Sequence, residues 1–343
     1  MRKVEKPILE VLAGKKPSST PLWLMRQAGR YLPEYRTLRT QAKNFLNFCL
    51  TPELAAEATL QPIRRFDLDA AILFADILLI PHALGQKLEF KEGEGPTLEP
   101  LMDNKSVTGL KFDISKLTPV FETIGKVKPA LPEKTALIGF CGGPWTVAAY
   151  MIDGNSRDHF SHAKLWAENQ PELLDQLLAM LVDASANYLC RQIEAGVEVL
   201  QIFESWAGLL ENENFSRFVI KPTKELIKRV KQQHPKALII GFPRAAGPRY
   251  RNYALETGVD CLSIDQHVSL DYARKELQAI KPLQGNLDPL LLAKGGEDMR
   301  HAAETILEKL GPSHIFNLGH GVVPETPPEN VAQLAEIVRG WRA

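Results

Sequence analysis

The chain has 343 residues, 45% hydrophobic and 24% charged, the balance of a globular protein with room for a well-buried core. Lysine plus arginine equals aspartate plus glutamate, at 41 each. No charge excess therefore draws the chain to nucleic acid or to an anionic membrane, and an anionic small molecule has to be attracted by a local cluster.

The N-terminus is basic, but Glu10 interrupts the short apolar run at 7–12, which is too short for a secretory signal. No stretch approaches the ~18 apolar residues of a membrane span. Cys49, Cys141, Cys190 and Cys261 lie far apart among apolar or small residues. They read as buried free thiols of a reducing, cytoplasmic compartment.

Along the chain, short apolar, β-prone runs alternate with helical patterns. The eight runs are PLWLM (21–25), AAILFAD (70–76), ALIGFCG (136–142), VEVLQIFES (197–205), ALIIGFPR (237–244), DCLSID (260–265), PLQGNLD (282–288) and HIFNLGHG (314–321). Several are apolar on both faces, as strands of a buried parallel sheet are. A helix starts at Thr51-Pro52-Glu53. Another has Asn169 as expected N-cap, an apolar stripe through Leu174, Leu177, Leu178, Leu181, Ala184 and Tyr188, and Gly196 as its C-terminal stop. The stretch 91–106, rich in Gly, Pro and charge, reads as a loop excursion and no linker divides the chain. The pattern predicts one domain over 1–343, an α/β fold of the single (β/α)8 TIM-barrel type, with the cleft at the C-terminal ends of the strands. A doubly wound open sheet is the alternative, but neither GxGxxG nor GxxxxGK[ST] occurs.

Reading only the strand ends singles out few polar residues. Arg26 and Arg30 follow the first run and would share one face of a helical turn. They fit a clamp for a polyanion, or a surface pair matched to acids such as Glu34. Asp76, inside an apolar segment, either caps a helix or faces a pocket, where it would accept ligand N–H groups or stabilise a cation. In GFCGGPWTVAAYM (139–151) the glycines would let a ligand approach, Pro144 would open a helix, and Tyr150 would follow as core or pocket residue. Gly319-His320-Gly321 leaves an imidazole uncrowded, and Ser205 lacks the GxSxG elbow of a nucleophile. His159 and His162 have HxxH spacing in a polar segment, with no HExxH or Cys/His cluster beside them, so no metal site is expected.

Two long motifs, PLWLMRQAGRYLPEYR (21–36) and GFCGGPWTVAAYM (139–151), resemble signatures of the uroporphyrinogen decarboxylases. LDAAILFADIL (68–78), LQIFESWAG (200–208), LQGNLDP (283–289) and FNLGHGVVP (316–324) agree in order along the chain. The resemblance implies a cytoplasmic homodimeric barrel that works on uroporphyrinogen without cofactor or metal. It implies that Arg26, Gln27, Ala28, Gly29 and Arg30 bind the propionate and acetate carboxylates. Asp76 would hold the pyrrole N–H groups and act as the catalytic carboxylate. Tyr150, Ser205 and His320 would contact side-chain carboxylates, and Phe140 and Phe203 would line the cleft. Zinc-dependent methyltransferases of similar fold carry an HxC pair, which is absent here.

Overall fold

In a computed structural model, which describes residues 6–91 and 95–342, seven of the eight apolar runs become strands of one curled parallel sheet. The strands in chain order are β1 (Ala70–Ile72), β2 (Leu88–Lys91), β3 (Gly95–Leu98), β4 (Ala136–Gly142), β5 (Val199–Glu204), β6 (Leu238–Pro243), β7 (Cys261–Ser263), β8 (Leu283–Leu287) and β9 (His314–Leu318). The sheet runs β1-β4-β5-β6-β7-β8-β9, with every neighbouring pair parallel. Parallel neighbours need crossovers, and helices supply them.

Side chains alternate between two apolar clusters. Ala136, Ile138, Val199, Ile240 and Ile315 point to the inside of the curl, together with Trp23 and Met25. The short helix Pro7–Leu12 contributes Ile8, Val11 and Leu12 to the same inner cluster. Leu137, Leu200 and Ile239 point outward onto the helices. Burial on both faces explains why the runs read as continuous apolar segments. The interior also holds a bonded polar layer. Trp23 Nε1 donates to Gln284 Oε1 at 2.9 Å, and Gln284 Nε2 donates to Gln201 Oε1 and to Ser263 Oγ. These side chains are fully buried, and pairing them removes the penalty an orphaned amide would carry.

The run at 21–25 differs from expectation, because it forms a single parallel bridge, Leu22 to Phe316, and not a strand. Its backbone touches both ends of the sheet: Phe316 N donates to Pro21 O, and Asp69 N donates to Leu22 O. Three of its own N–H groups go to side chains in place of a ladder. Leu22 N binds Asp69 Oδ2, Leu24 N binds Gln27 Oε1, and Met25 N binds Asn317 Oδ1. Alternation of apolar residues says nothing about such substitutions, so the sequence reads as a strand.

The longest helix, Pro171–Ala195, ends where expected, with Gly196 at φ 123 closing onto Gln192 O and Ile193 O. Its start differs. Asn169 is the last residue of the preceding helix Ser161–Asn169, and Gln170 stands at the N-cap without a side-chain bond. Thr51 does precede the helix Pro52–Phe66, although its hydroxyl donates backwards to Asn47 O. The stretch read as a loop is partly structured. β2 and β3 pair as an antiparallel hairpin, with Phe90 packed on Phe45 at 4.8 Å. Residues 92–94 lie outside the described residues, and Asp103 and Ser106 form a capping box on the helix Asn104–Thr108.

Candidate active site

The C-terminal strand ends carry the residues singled out from sequence. An aromatic floor comes first. Phe140 of β4 meets Phe203 of β5 edge-on at 5.5 Å, and Phe203 meets Phe242 of β6 at 6.4 Å. Such edge-to-face contacts fix ring orientation as well as burying area. Phe242 is a cleft-floor residue that the strand-end reading left out.

Arg26 stands at the turn after the 21–25 run, and it is not helical. Its φ of 60 is left-handed, and Gln27 N closes the turn onto Leu24 O. The two arginines therefore do not share a helical face as the four-residue spacing suggested. Gln27 is buried and ties the turn down from both sides, accepting from Leu24 N and donating to Ala70 O at 3.1 Å. Ala28 and Gly29 are half-buried, and Leu32 N returns to Gly29 O before the helix Pro33–Arg39. Arg30 is exposed and its carbonyl accepts from Arg36. Glu34, the acid offered as an alternative partner, is taken by Arg65 at 3.1 Å. Among the described residues neither the Arg26 nor the Arg30 guanidinium has an ion pair or hydrogen bond. Glu34 is thus not the partner of either arginine.

Asp76 follows β1. It is not a helix cap: Leu78 N donates to its Oδ1 at 2.8 Å, an Asx-type turn before the helix Leu79–Ala83. Apolar surroundings push its acidity down, raising the pKa from the ordinary carboxylate value. The Leu78 N–H and the Arg26 cation both oppose that shift. Arg26 keeps exposed surface, yet protein crowds it closely enough that desolvation is the main influence on its pKa, which is lowered. Asp76 and Tyr150 counter this, while Arg244 and Arg30 add to it. Arginine stays a cation in proteins, so the group acts here as fixed positive charge.

Tyr150 lies on the helix Pro144–Asp153, with Pro144 at its first turn as expected, and its ring stands edge-on to Phe160 at 4.9 Å. The glycines before this helix serve protein packing, not ligand approach. A methyl group on Gly142 would meet Val147 and Ile77, and one on Gly143 would overlap Glu204. Glu204, fully buried, accepts from Trp145 N at 2.9 Å, Thr146 N at 3.0 Å and Thr146 Oγ1 at 2.7 Å. It caps the helix that carries Tyr150, and burial raises its pKa to about 7 against those three donors. Ser205, the next residue, is half-buried, and its hydroxyl takes no hydrogen-bond partner among the described residues.

His320 is half-buried, two residues past the end of β9. Desolvation, then Arg26 and Arg244, push its pKa down to about 3, with Asp265 opposing. It is a neutral imidazole at physiological pH, able to donate to a carboxylate from one nitrogen. The glycines beside it make room for other groups. A methyl on Gly319 would strike Gln266, and one on Gly321 would strike Arg26. His162 Nδ1 is 3.3 Å from Asp153, the last residue of the helix that carries Tyr150. All four cysteines are buried free thiols. Among the described residues no group of three or more His, Cys, Asp or Glu is gathered for a metal ion.

Two further residues that sequence reasoning missed are Arg244 and Asp265, just beyond β6 and β7. Asp265 is buried and accepts from Ala245 N, Tyr250 Oη and His267 N at 2.7, 2.8 and 2.9 Å. A surface hollow of about 770 Å³ lies elsewhere, between outer helices at Asp175, Phe215, Arg217 and Arg249. It shares no residue with the strand ends.

Parallel strands joined by helices, with Asp76, Ser205 and His320 just beyond their C-terminal ends, define an α/β protein of the class that keeps its functional residues at that face. The family model described as "Uroporphyrinogen decarboxylase (URO-D)" matches residues 3–341. The uroporphyrinogen decarboxylase of Rhodospirillum rubrum is 50% identical over 343 residues, covering 99% of both chains. That of Sinorhizobium fredii is 49% identical over 345 residues, covering 100% of both. Among solved structures, a methyltransferase from Methanosarcina mazei superposes with TM-score 0.79 at 21% identity, covering 97% of each chain, which is a likeness of fold alone. The chain belongs to the uroporphyrinogen decarboxylase family.

Proposed function

We propose that this chain removes carbon dioxide from the four acetate side chains of uroporphyrinogen III, leaving the methyl groups of coproporphyrinogen III. Full-length relatives at about half identity carry that enzyme's name, which supports a carboxy-lyase of tetrapyrrole biosynthesis. The observation that carries the reading is the recessed Asp76 carboxylate within electrostatic reach of the unpaired Arg26.

The chemistry follows from what the substrate lacks. Breaking the acetate C–C bond leaves an electron pair that needs a sink. Protonating the adjacent pyrrole ring carbon makes the ring cationic. Carbon dioxide then departs, the electron pair flows into the ring, the exposed methylene takes a proton to become methyl, and the ring carbon releases the proton it first took, so the net change is one proton taken up for each carbon dioxide lost. The substrate is its own sink, so the step needs no cofactor. Asp76 would accept the pyrrole N–H groups and offset the transient cation in a site with little water. Ligand N–H donors favour its ionised form, against the burial that raises its pKa. Arg26 and Arg30 would hold carboxylate arms, His320 and Tyr150 would donate to others, and Ser205 would offer its unused hydroxyl. The Phe140 and Phe203 rings would support the macrocycle face. Gln27, Ala28 and Gly29 would present backbone at the clamp. The proton donor stays unassigned.

The seven-stranded sheet together with the 21–25 segment supports a closed (β/α)8 barrel, one domain over 1–343. The family resemblance supports a cytoplasmic homodimer, and no described helix is long and apolar enough to cross a membrane.

The test is anaerobic incubation with uroporphyrinogen III, followed by a count of carboxyl groups in the product. Conversion from eight carboxyls through seven, six and five to four is expected. Binding without loss of carbon dioxide would make the chain a tetrapyrrole carrier and overturn the reading.

A further inference from the structure

Arg244 lies one residue past β6. The register pairs Pro243 with Glu204 on β5, so Arg244 stands level with Ser205. On the other side Gly241 pairs with Leu262, and continuing that register sets Arg244 level with Asp265. Its backbone is held from both neighbours. Arg244 N donates to Glu204 O at 3.1 Å, Gly208 N donates to Arg244 O at 3.1 Å, and Ala245 N donates to Asp265 Oδ2 at 2.7 Å.

The side chain is another matter. It is half-buried, and among the described residues it has no ion pair or hydrogen bond. Asp265, the nearest acid by register, already takes three other donors. Arg244 nevertheless lies close enough to act on both Arg26 and His320, and its register places it at the same C-terminal end of the sheet as they are.

Its position in the fold is what matters. Going from β6 to the 21–25 segment, β7, β8 and β9 intervene in one direction, and β5, β4 and β1 in the other. Arg244 and Arg26 therefore stand on opposite walls. Two guanidiniums facing one recess, neither paired, are unfavourable until an anion enters. A macrocycle with carboxylates around its whole rim presents anions to opposite walls at once.

We infer that Arg244 is a substrate-binding residue that takes a carboxylate of the tetrapyrrole on the wall opposite Arg26 and Arg30, beside Ser205. This rests on the reading that uroporphyrinogen is the substrate. The clamp is thus two-sided, and the Arg26–Arg30 side alone would leave the far carboxylates in a recess without a cation.

The test compares Arg244→Gln and Arg244→Lys with wild type in anaerobic kinetics, together with equilibrium binding of coproporphyrinogen, which requires no turnover. For Gln, KM for uroporphyrinogen should rise about tenfold or more, with coproporphyrinogen binding weakened in parallel. Lys should recover part of both, and the melting temperature of each variant should match wild type, because only main-chain atoms of Arg244 bond to the protein. Unchanged KM and binding in both variants would overturn the inference. So would a loss of melting temperature in both that accounts for the kinetic loss, since Arg244 would then be structural. A wild type that neither converts nor binds uroporphyrinogen would instead overturn the parent reading.

Discussion

The α-carbon of Gly321 lies against the side chain of Arg26: a methyl group at 321 would stand 2.6 Å from Arg26 Cγ and 2.9 Å from Nε. The glycine beside His320 is thus a seat for the arginine that faces Asp76. Val322 N also donates to Met25 O at 2.9 Å, which ties the β9 loop to the turn holding Arg26. One motif positions the other across almost 300 residues of chain.

Gly321→Ala should therefore behave as a substitution of Arg26 without touching it. The guanidinium has to move, and KM for uroporphyrinogen is expected to rise about tenfold or more, the scale of one charge-assisted contact. Steady-state kinetics beside a thermal melt checks this. Wild-type KM in a folded variant would show that Arg26 is not held by this contact.

Arg30→Ala removes the exposed member of the clamp. It should weaken substrate binding chiefly, raising KM with a smaller effect on kcat. Unchanged KM and kcat would remove Arg30 from the clamp.

Much of this was legible in the sequence because apolar runs and strand ends carry strong signals. Seven of eight runs became strands; Asp76, Ser205 and His320 lie just beyond strand ends, Arg26 in the turn after the 21–25 run, and Tyr150 on the helix that follows β4. What was not legible depended on side chains standing in for backbone. Asp69, Gln27 and Asn317 take over hydrogen bonds that would have made 21–25 a strand. Gln170, not Asn169, begins the long helix because the preceding helix runs through Asn169. Arg244 and Asp265 end the runs ALIIGFPR and DCLSID and were open to the same strand-end reading; their signal was present, but no motif drew attention to them. The glycines at 142, 143, 319 and 321 look like space for a ligand, and only coordinates reveal that protein atoms fill it.

Glu204→Ala should destabilise the fold by at least ~2 kcal/mol, because three buried donors lose their acceptor at once. The helix carrying Tyr150 begins at those donors, so KM should rise as well. Chemical denaturation measures the first effect. Wild-type stability would mean that water replaces the carboxylate.

Acid should weaken the fold through two histidines. Burial first pushes His314 down to about 4, and desolvation with Arg26 and Arg244 pushes His320 down to about 3. Below the ordinary histidine value the unfolded chain takes up protons there that the folded chain refuses. Stability contributed above that value is therefore lost as pH falls from about 6.5 towards 4. Glu204, raised to about 7, works the other way, since the folded state holds its proton between the ordinary glutamate value and about 7. Asp69 and Asp76, raised by burial, act in the same direction as Glu204, and His82, lowered by burial, acts with the two histidines, so each group is read from its own variant against the wild-type change of melting temperature with pH. His320→Asn should lessen the loss of melting temperature on acidification and Glu204→Gln should increase it. An unchanged slope in His320→Asn would mean that the imidazole is not desolvated.

An ionised Asp76 would offset the cation formed on the substrate ring. Asp76→Asn keeps the shape and an acceptor oxygen while removing the charge. Single-turnover decarboxylation of uroporphyrinogen III under anaerobic conditions, with coproporphyrinogen binding measured beside it, tests this directly. The rate of carbon dioxide release should fall by about 10²-fold or more, with binding kept within about an order of magnitude. A rate near wild type in the bound complex would contradict it.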